Sequence, residues 1–209
     1  SGLKIVKNPN KYLISNKNIK KSGHAIGCSI QGIRPLMIEV QALVSSAVYG
    51  TPQRSATGFN SKRLNMILAI LEKRAGIQIG SKDVFLNITG GINIDDPSID
   101  LAVISSIISS HENIPIDRNI CFSGEIGLSG ELRGISKPKE RLSEAEKLGF
   151  NLFVTSNSNI DNLDKSKIRI KKLDQIEDLK QLQTKTKFVA TFVQYPQYEE
   201  FPWAWAIVR

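Results

Sequence analysis

The sequence of 209 residues lacks the features that would place a protein in a membrane or cross-link it covalently. It contains no apolar run of the roughly 20 residues that a membrane-spanning helix needs. Its first residues are polar and basic and include no apolar core of a secretion signal. Cys28 and Cys121 are its two cysteines, which are too few for a disulfide framework and fit a reducing compartment. We therefore expect a cytoplasmic protein without a membrane partner.

Signals for a bound nucleotide or metal are also missing. No segment matches the Gly-x-x-x-x-Gly-Lys-Ser/Thr loop that holds nucleotide phosphates, and the glycines from Gly124 to Gly130 are typical of a hairpin. His24 and Cys28 have the spacing of two metal ligands, but two are too few for a structural site. We interpret both as loop residues with satisfied polar atoms, and we expect no metal.

The charge that is present is mainly positive, with a net charge of +8 at neutral pH. Residues 1–22 contain six lysines and no acid, and residues 165–187 contain eight basic residues against three acids. Clustered positive charge suits a polyanionic partner, nucleic acid before an anionic membrane surface. The alternative is that the lysines only keep the protein soluble.

Periodic apolar residues predict strands that alternate with helices, which is typical of an α/β domain. The predicted elements are a strand at 36–43, a long loop at 45–59, a helix from residue 60 or 61 to 76, a strand at 84–88, a helix at 99–110, a strand at 119–124, a hairpin at 125–133, a helix capped by Ser136 and ending at 149, strands at 152–155 and 168–170, and a short helix at 174–183. Residues 188–209 hold seven of the fourteen aromatic residues and differ in kind from the rest.

The segment from Gly90 to Ser98 carries the candidate for covalent chemistry. It is predicted to be a strand end, a loop and a helix start. A serine there has its hydroxyl beside backbone amides without helical partners, which is a setting for nucleophilic attack. Ser98 is therefore either a nucleophile or a helix cap, and this difference separates an enzyme from a binding module.

Several segments, in order along the chain, resemble the carboxy-terminal domain of the bacterial RadA/Sms family of DNA repair ATPases. They are Gly32-Ile33-Arg34-Pro35-Leu36, Glu39-Val40-Gln41-Ala42-Leu43-Val44, Thr57-Gly58 to Arg63-Leu64, Leu71-Glu72-Lys73-Arg74-Ala75-Gly76, Asp83-Val84-Phe85-Leu86-Asn87, Gly124-Glu125-Ile126-Gly127-Leu128-Ser129-Gly130-Glu131 and Glu144-Ala145-Glu146-Lys147-Leu148-Gly149-Phe150. That domain is similar in turn to the proteolytic domain of Lon. The resemblance implies an α/β fold of the Lon proteolytic-domain type (ribosomal protein S5 domain 2-like), with mixed sheets and packed helices.

The resemblance also implies where a peptidase would keep its catalytic pair. In Lon-type proteases a serine after Gly-Pro is the nucleophile, and a lysine on a later helix takes its proton. Ser98 matches the serine, whereas Arg141 occupies the position of the lysine. A guanidinium stays protonated in proteins, so Arg141 cannot act as that base. We expect Ser98 and Arg141 to be vestigial.

Two further observations bear on the peptidase hypothesis. Lys139 is two residues from Arg141 and points about 200° around the helix, so it could replace the base only after a register shift. Asp96 and Asp100 would place negative charge where an oxyanion develops. A serine peptidase that uses Ser98 with Lys139 remains the alternative to a non-catalytic domain.

Basic residues on and beside the first predicted helix form the candidate DNA-binding surface. Lys62 and Lys73 are separated by three helical turns and share a face of the helix. The candidates for phosphate contact are Arg54, Lys62, Arg63, Lys73 and Arg74. Such a stripe can follow a phosphate backbone without reading its sequence. The alternatives are a solvated helix face, or pairing with acidic residues of a neighbouring subunit.

The resemblance implies a non-catalytic Lon-like domain of a RadA-type DNA repair and recombination ATPase. Its expected roles are the assembly of a homo-oligomer, a hexameric ring, and the binding of duplex DNA during branch migration. ATP with Mg²⁺ and zinc belong to a RecA-like core and a four-cysteine finger of that family, so no cofactor is expected in this chain. Residues 1–22 are expected to be a basic arm from that core, 23–187 the Lon-like domain, and 188–209 an aromatic tail of unassigned role. A pure oligomerisation domain without DNA contact is the remaining alternative.

Overall fold

The computed structural model describes residues 13–14, 21–48, 50–159 and 166–179. Its centre is a seven-stranded sheet in the order β3-β4-β2-β1-β5-β8-β9, beside which β6 and β7 form a separate hairpin. The strands are β1 (His24–Gln31), β2 (Arg34–Ser46), β3 (Arg54–Thr57), β4 (Lys82–Ile88), β5 (Ile120–Ser123), β6 (Glu125–Ile126), β7 (Leu132–Arg133), β8 (Leu152–Ser156) and β9 (Arg169–Leu173). The α-helices are α1 (Ser61–Lys73), α2 (Asp100–Glu112) and α3 (Pro138–Lys147), and single 3₁₀ turns lie at Pro97–Ile99 and Asn157–Asn159.

The sheet is mixed, as the sequence predicts. β1 and β2 form an antiparallel hairpin whose turn contains Gly32 at a positive φ of 62°, and β2 pairs antiparallel with β4. The pairs β3–β4, β1–β5, β5–β8 and β8–β9 are parallel. The predicted α/β fold with packed helices is therefore confirmed.

Helices cover the two faces of the sheet unequally. On one face, α1 and α2 pack into the larger core cluster, and α2 is buried over its whole run from Asp100 to Ser109. On the other face, α3 packs Leu142 and Ala145 against the strands that carry Cys28 and Phe153. A helix that is buried on all sides needs partners for any polar side chains that it carries, and in α2 the hydroxyls of the buried Ser105 and Ser106 donate to the carbonyls of Leu101 and Val103.

Four details of the predicted elements are corrected by the structure. β1 was not predicted, and His24 and Cys28 lie in this strand rather than in a loop. The predicted loop at 45–59 contains the short strand β3. Ser136 does not cap α3, because Lys137 occupies the N-cap position at a φ of 50° without a side-chain hydrogen bond. The strand predicted at 168–170 is β9, which runs on to Leu173.

The predicted arm and tail fall largely or wholly outside the described residues. The tail at 188–209 is not described, and the predicted helix at 174–183 is described only as far as residue 179. Of the arm, Leu13 is buried in the larger core cluster, where it lies against Gly90. In the part of the chain that the structure describes, no helix has the length and apolar character to span a bilayer.

Candidate functional site

Ser98 lies in the short turn that leads from the loop after β4 into α2. Pro97 begins this turn, and the Asp96 side chain caps it by accepting a hydrogen bond of 3.0 Å from the Ser98 backbone N–H. The interpretation of Ser98 as a helix cap is therefore wrong, because the residue two positions earlier does the capping. An aspartate in the extended conformation before a helix suits this role better than a serine inside the turn.

The hydroxyl of Ser98 is fully buried and has two partners. Its proton is donated to the backbone carbonyl of Cys28 at 2.9 Å. Its oxygen accepts a hydrogen bond of 2.6 Å from Nη1 of Arg141. The structure thus brings together the two residues that the resemblance pairs, although they are distant in sequence.

Arg141 on α3 is also fully buried, and its guanidinium is anchored on every side. Nε donates to the Ser136 carbonyl at 2.8 Å, and Nη1 donates to the Cys28 carbonyl at 2.7 Å. Nη2 donates to the Asp96 carboxylate at 2.8 Å, which also neutralises the charge. Five donors fixed in a plane suit such a site better than the three donors of an ammonium group.

Neither of the two groups that contact the Ser98 hydroxyl in the described residues can take its proton. A peptide carbonyl is a negligible base, and a guanidinium stays protonated. Burial raises the pKa of the Cys28 thiol to about 12, so this thiol is not a nucleophile at neutral pH either. Lys139 is exposed and borders a shallow surface hollow with Pro35, away from the buried serine.

Asp96 has a different role from the one expected of it. Burial raises the pKa of its carboxyl, but hydrogen bonds from the Ile30 N–H, Arg141 and the Ser98 N–H outweigh that effect, so its pKa lies below the usual value of 3.8. The ionised carboxylate therefore balances the buried guanidinium of Arg141. The sequence does not predict this pair, because Asp96 and Arg141 are 45 residues apart and no local pattern connects them.

The chain matches the C-terminal proteolytic domain of Lon protease (S16) over residues 73–189, a range that includes both Ser98 and Arg141. This match covers more than half of the chain. The chain belongs to the Lon proteolytic-domain family. The matched range thus includes the segments in which Ser98 and Arg141 are buried against each other.

Relatives named DNA repair protein RadA confirm the resemblance of this chain to the RadA/Sms family. The protein of Bacillus subtilis (strain 168) is 39% identical over 166 residues, which is 79% of this chain and 36% of the relative. That of Brucella abortus (strain 2308) is 42% identical over 149 residues, covering 71% and 32% of the two chains. That of Rickettsia felis is 41% identical over 182 residues, covering 87% and 40%. The chain spans about a third of the length of these curated relatives.

The residues proposed for phosphate contact have unequal surroundings. Lys62 and Lys73 are exposed on α1, and Arg74 is exposed directly after its end. Arg54 is exposed on β3, where it donates to the Gly80 carbonyl at 3.4 Å. The guanidinium of Arg63 is instead paired with the fully buried carboxylate of Asp100, with one contact of 2.7 Å from Nε.

Asp100 also accepts from the Ile126 N–H at 3.2 Å, and burial raises the pKa of its carboxyl although Arg63 partly offsets this. The Arg63–Asp100 pair therefore ties α1 to the start of α2 and to β6, and leaves Arg63 less able to reach a phosphate. Sequence reasoning missed the pairing because no local pattern connects a surface helix with an acid at the start of a buried one. A groove of about 490 Å³ between α1 and the β6–β7 hairpin runs past this pair.

Proposed function

We propose that this chain is a non-catalytic Lon-like module of a RadA-type DNA repair protein, which holds duplex DNA and assembles into a ring. The observation that carries the proposal is the pairing of Ser98 with Arg141. A Lon-type dyad needs a lysine that can lose its proton, and desolvation can provide that for an amine but not for a guanidinium.

The DNA-binding part of the proposal is supported by the cations of α1. Lys62, Lys73 and Arg74 project into solvent, and Arg54 stands on the strand that precedes the helix. Within the described residues, none of these four has a carboxylate within ion-pair distance. Free surface cations on a rigid helix can displace counterions from a phosphate backbone, which gives affinity without sequence preference.

The assembly part of the proposal is supported by the sheet face that α3 leaves open. Leu43 on β2 and Phe85 on β4 are direct cross-strand neighbours and are 59% and 37% exposed. Apolar side chains placed together on an open sheet face are typical of protein interfaces. We propose that this face takes part in contacts between copies, in a ring expected to be hexameric.

The names of the relatives support a proposal for the role of the whole protein. They are named DNA repair proteins, and we propose that this chain serves the same process, with branch migration during recombination as the step concerned. ATP with Mg²⁺ and zinc would be held by parts of such a protein that this sequence does not contain, and we propose a cytoplasmic setting.

A peptidase assay tests the catalytic part of the proposal. The chain and its Ser98→Ala variant are incubated with an unfolded protein substrate, and fragments are followed by mass spectrometry. We expect the unmodified chain to produce no more fragments than the Ser98→Ala variant does. Cleavage that disappears in Ser98→Ala would establish the serine peptidase and end the non-catalytic interpretation.

A titration against duplex DNA at several salt concentrations tests the binding part. The double variant Lys62→Gln with Lys73→Gln should bind more weakly, and the slope of log K against log salt should shrink by about 2, since each phosphate contact contributes about 0.9. Arg34→Gln with Lys139→Gln removes two exposed charges elsewhere that also have no carboxylate within ion-pair distance among the described residues, and is the matched control. Equal weakening by both double variants would mean that only net charge matters. Failure of the unmodified chain to bind at low salt would favour the pure oligomerisation domain.

A further inference from the structure

The edge strand β9 carries a row of cations that is separate from the α1 surface, by which we mean Arg54, Lys62, Lys73 and Arg74. Lys167, Arg169, Lys171 and Lys172 are all exposed. Within the described part of the chain, no carboxylate lies within ion-pair distance of any of the four, although Glu146 lines the same shallow hollow as Lys167 and Arg169. Four positive charges within six residues therefore remain largely uncompensated.

Apolar anchors hold this row in place. Ile168 is buried and Ile170 is partly buried in the cluster beneath α3, whereas Leu173 is buried in the larger cluster on the opposite face. Because side chains alternate along a strand, Arg169 and Lys171 share one face and Lys172 lies on the other. The cations are thus fixed to a packed strand rather than carried on a loose loop, which lowers the entropy lost when a ligand binds.

The outer edge of β9 adds hydrogen-bond donors to the cations. Among the described residues, β9 is the outermost strand of the sheet and pairs on one side with β8, so its alternate backbone N–H groups point away from the sheet. Phosphate oxygens accept hydrogen bonds from backbone N–H groups as well as from lysine and arginine. Alternate residues of a strand are roughly 6.6 Å apart, a spacing comparable to that of successive phosphates in an extended nucleic-acid strand.

Contacts within the protein connect β9 to the end of α1. The Leu132 N–H donates to the Asp174 carbonyl at 2.8 Å, and the Ile176 N–H donates to the Gly130 carbonyl at 2.9 Å. Gly130 in turn lies between Ile176 and the side chain of Arg74, where an added Cβ would be 3.3 Å from each. The β6–β7 hairpin therefore joins the chain that follows β9 to the basic end of α1.

We infer that β9 is a second contact for the sugar–phosphate backbone of a nucleic acid, made by Arg169, Lys171 and Lys172 with Lys167 beside them. This inference rests on the proposed DNA-binding function and enlarges its surface. A rival explanation is that lysines on an edge strand prevent the sheets of two molecules from joining, which is a common use of charge at such edges.

The test compares labelled single-stranded and duplex DNA of equal length by fluorescence anisotropy over a salt series. Lys171→Gln with Lys172→Gln should lower the affinity on the order of tenfold or more and reduce the salt slope by about 2. Lys171→Arg with Lys172→Arg should bind like the unmodified chain, because the charge is kept. Arg34→Gln with Lys139→Gln is the matched control, because it also removes two exposed and unpaired charges, and thermal melts confirm that each variant is folded.

The outcomes separate this inference from the proposed function. Unchanged DNA binding by the β9 glutamine variant, with weaker binding by Lys62→Gln with Lys73→Gln, overturns the β9 contact and leaves the α1 surface standing. Weaker DNA binding by the β9 glutamine variant, with unchanged binding by Lys62→Gln with Lys73→Gln, supports the β9 contact and contradicts the contact by α1. A glutamine variant that dimerises but binds DNA normally assigns the lysines to edge protection. Binding to phosphatidylserine vesicles is measured in parallel, and a glutamine variant that loses vesicle binding but keeps DNA binding assigns the lysines to a membrane surface. Edge protection and membrane binding would each overturn the inference.

Discussion

Arg141 places a fully buried charge inside the domain, and hydrogen-bond acceptors surround that charge. Its guanidinium donates hydrogen bonds to one oxygen of Asp96, to the backbone carbonyls of Cys28 and Ser136, and to the hydroxyl of Ser98. A buried ion pair of this kind adds little stability compared with an apolar pair. Removing one partner is costly, because the other charge is left without compensation.

We predict that Arg141→Ala destabilises the domain by about 3–5 kcal/mol. Arg141→Lys should cost less, since an ammonium keeps the charge opposite Asp96 while losing part of the hydrogen-bonded fork. Urea unfolding followed by circular dichroism measures both. The control is Arg34→Ala, which removes an exposed arginine and should change the free energy of unfolding by less than about 0.5 kcal/mol. An Arg141→Ala protein as stable as this control would show that the Arg141–Asp96 pair does not contribute to the stability of the domain.

Asp96 gives a prediction about acid stability. Its pKa is lowered in the folded protein, so the folded state releases this proton more readily than the unfolded chain. Its contribution to stability is therefore complete above the usual carboxyl pKa of 3.8 and is lost as pH falls through the lower, folded-state value.

The measurement is the free energy of unfolding between pH 2 and 6, taken for the unmodified chain and for Asp96→Asn. The unmodified chain should lose its advantage over the variant as the pH falls below about 4. Because other acidic groups are common to both proteins, they cancel in the difference. A difference that does not change with pH would contradict the lowered pKa.

At the scale of single elements, α1 depends on a local signal that is visible in the sequence. Asn60 precedes the helix in an extended conformation, and its side chain accepts from the N–H groups of Lys62 and Arg63 at 2.9 and 3.1 Å. We predict that Asn60→Ala costs about 1 kcal/mol, as loss of such a cap does in other helices. Asn65→Ala makes the same change at an exposed position inside α1 and should be neutral or slightly stabilising. Chemical unfolding gives the free energy of unfolding of the two variants. Equal changes in both would show that the Asn60 cap does not stabilise α1.

The elements that the sequence predicts are those with a clear period and clear ends. α1 has a cap, an apolar face and a glycine after its end, and β2 alternates. β1 lacks this signal, because its central residues Ala25 to Ser29 are buried on both faces and include a glycine. β3 is short and polar, and it is a strand only because β4 pairs with it. Such tertiary pairing leaves no trace in a local pattern.

The same limit holds for the candidate site. The resemblance was enough to pair Ser98 with Arg141, because each residue matches a position of a known dyad. It did not assign Asp96 to Arg141 or Asp100 to Arg63, since these acids belong to this chain's own packing rather than to the catalytic pattern. The partly buried Asp96 and the buried Asp100 both lie at the entry to α2, where two basic side chains from other helices reach them.

At the scale of the whole molecule, the sheet divides into a covered part and an open part. α3 covers the strands around Cys28 and Phe153, whereas no helix among the described residues lies over Leu43 and Phe85 on the same sheet. A soluble protein seldom leaves neighbouring apolar side chains of this size exposed unless another surface covers them. This uneven coverage is the reason for proposing contacts between copies on this face.

We predict that Leu43→Glu lowers the oligomeric state of the chain without lowering its thermal stability. A carboxylate on the open face would be desolvated in any interface that buries this position, whereas in the free domain it would stay in water. Ile33→Glu is the matched control, because Ile33 is 84% exposed at the β1–β2 turn, away from the open face. Analytical ultracentrifugation over a range of protein concentrations gives the oligomeric state, and thermal melts give the stability. If Leu43→Glu and the unmodified chain assemble alike, the interface lies elsewhere. If Ile33→Glu dissociates the assembly instead, the turn and not the sheet face holds the copies together.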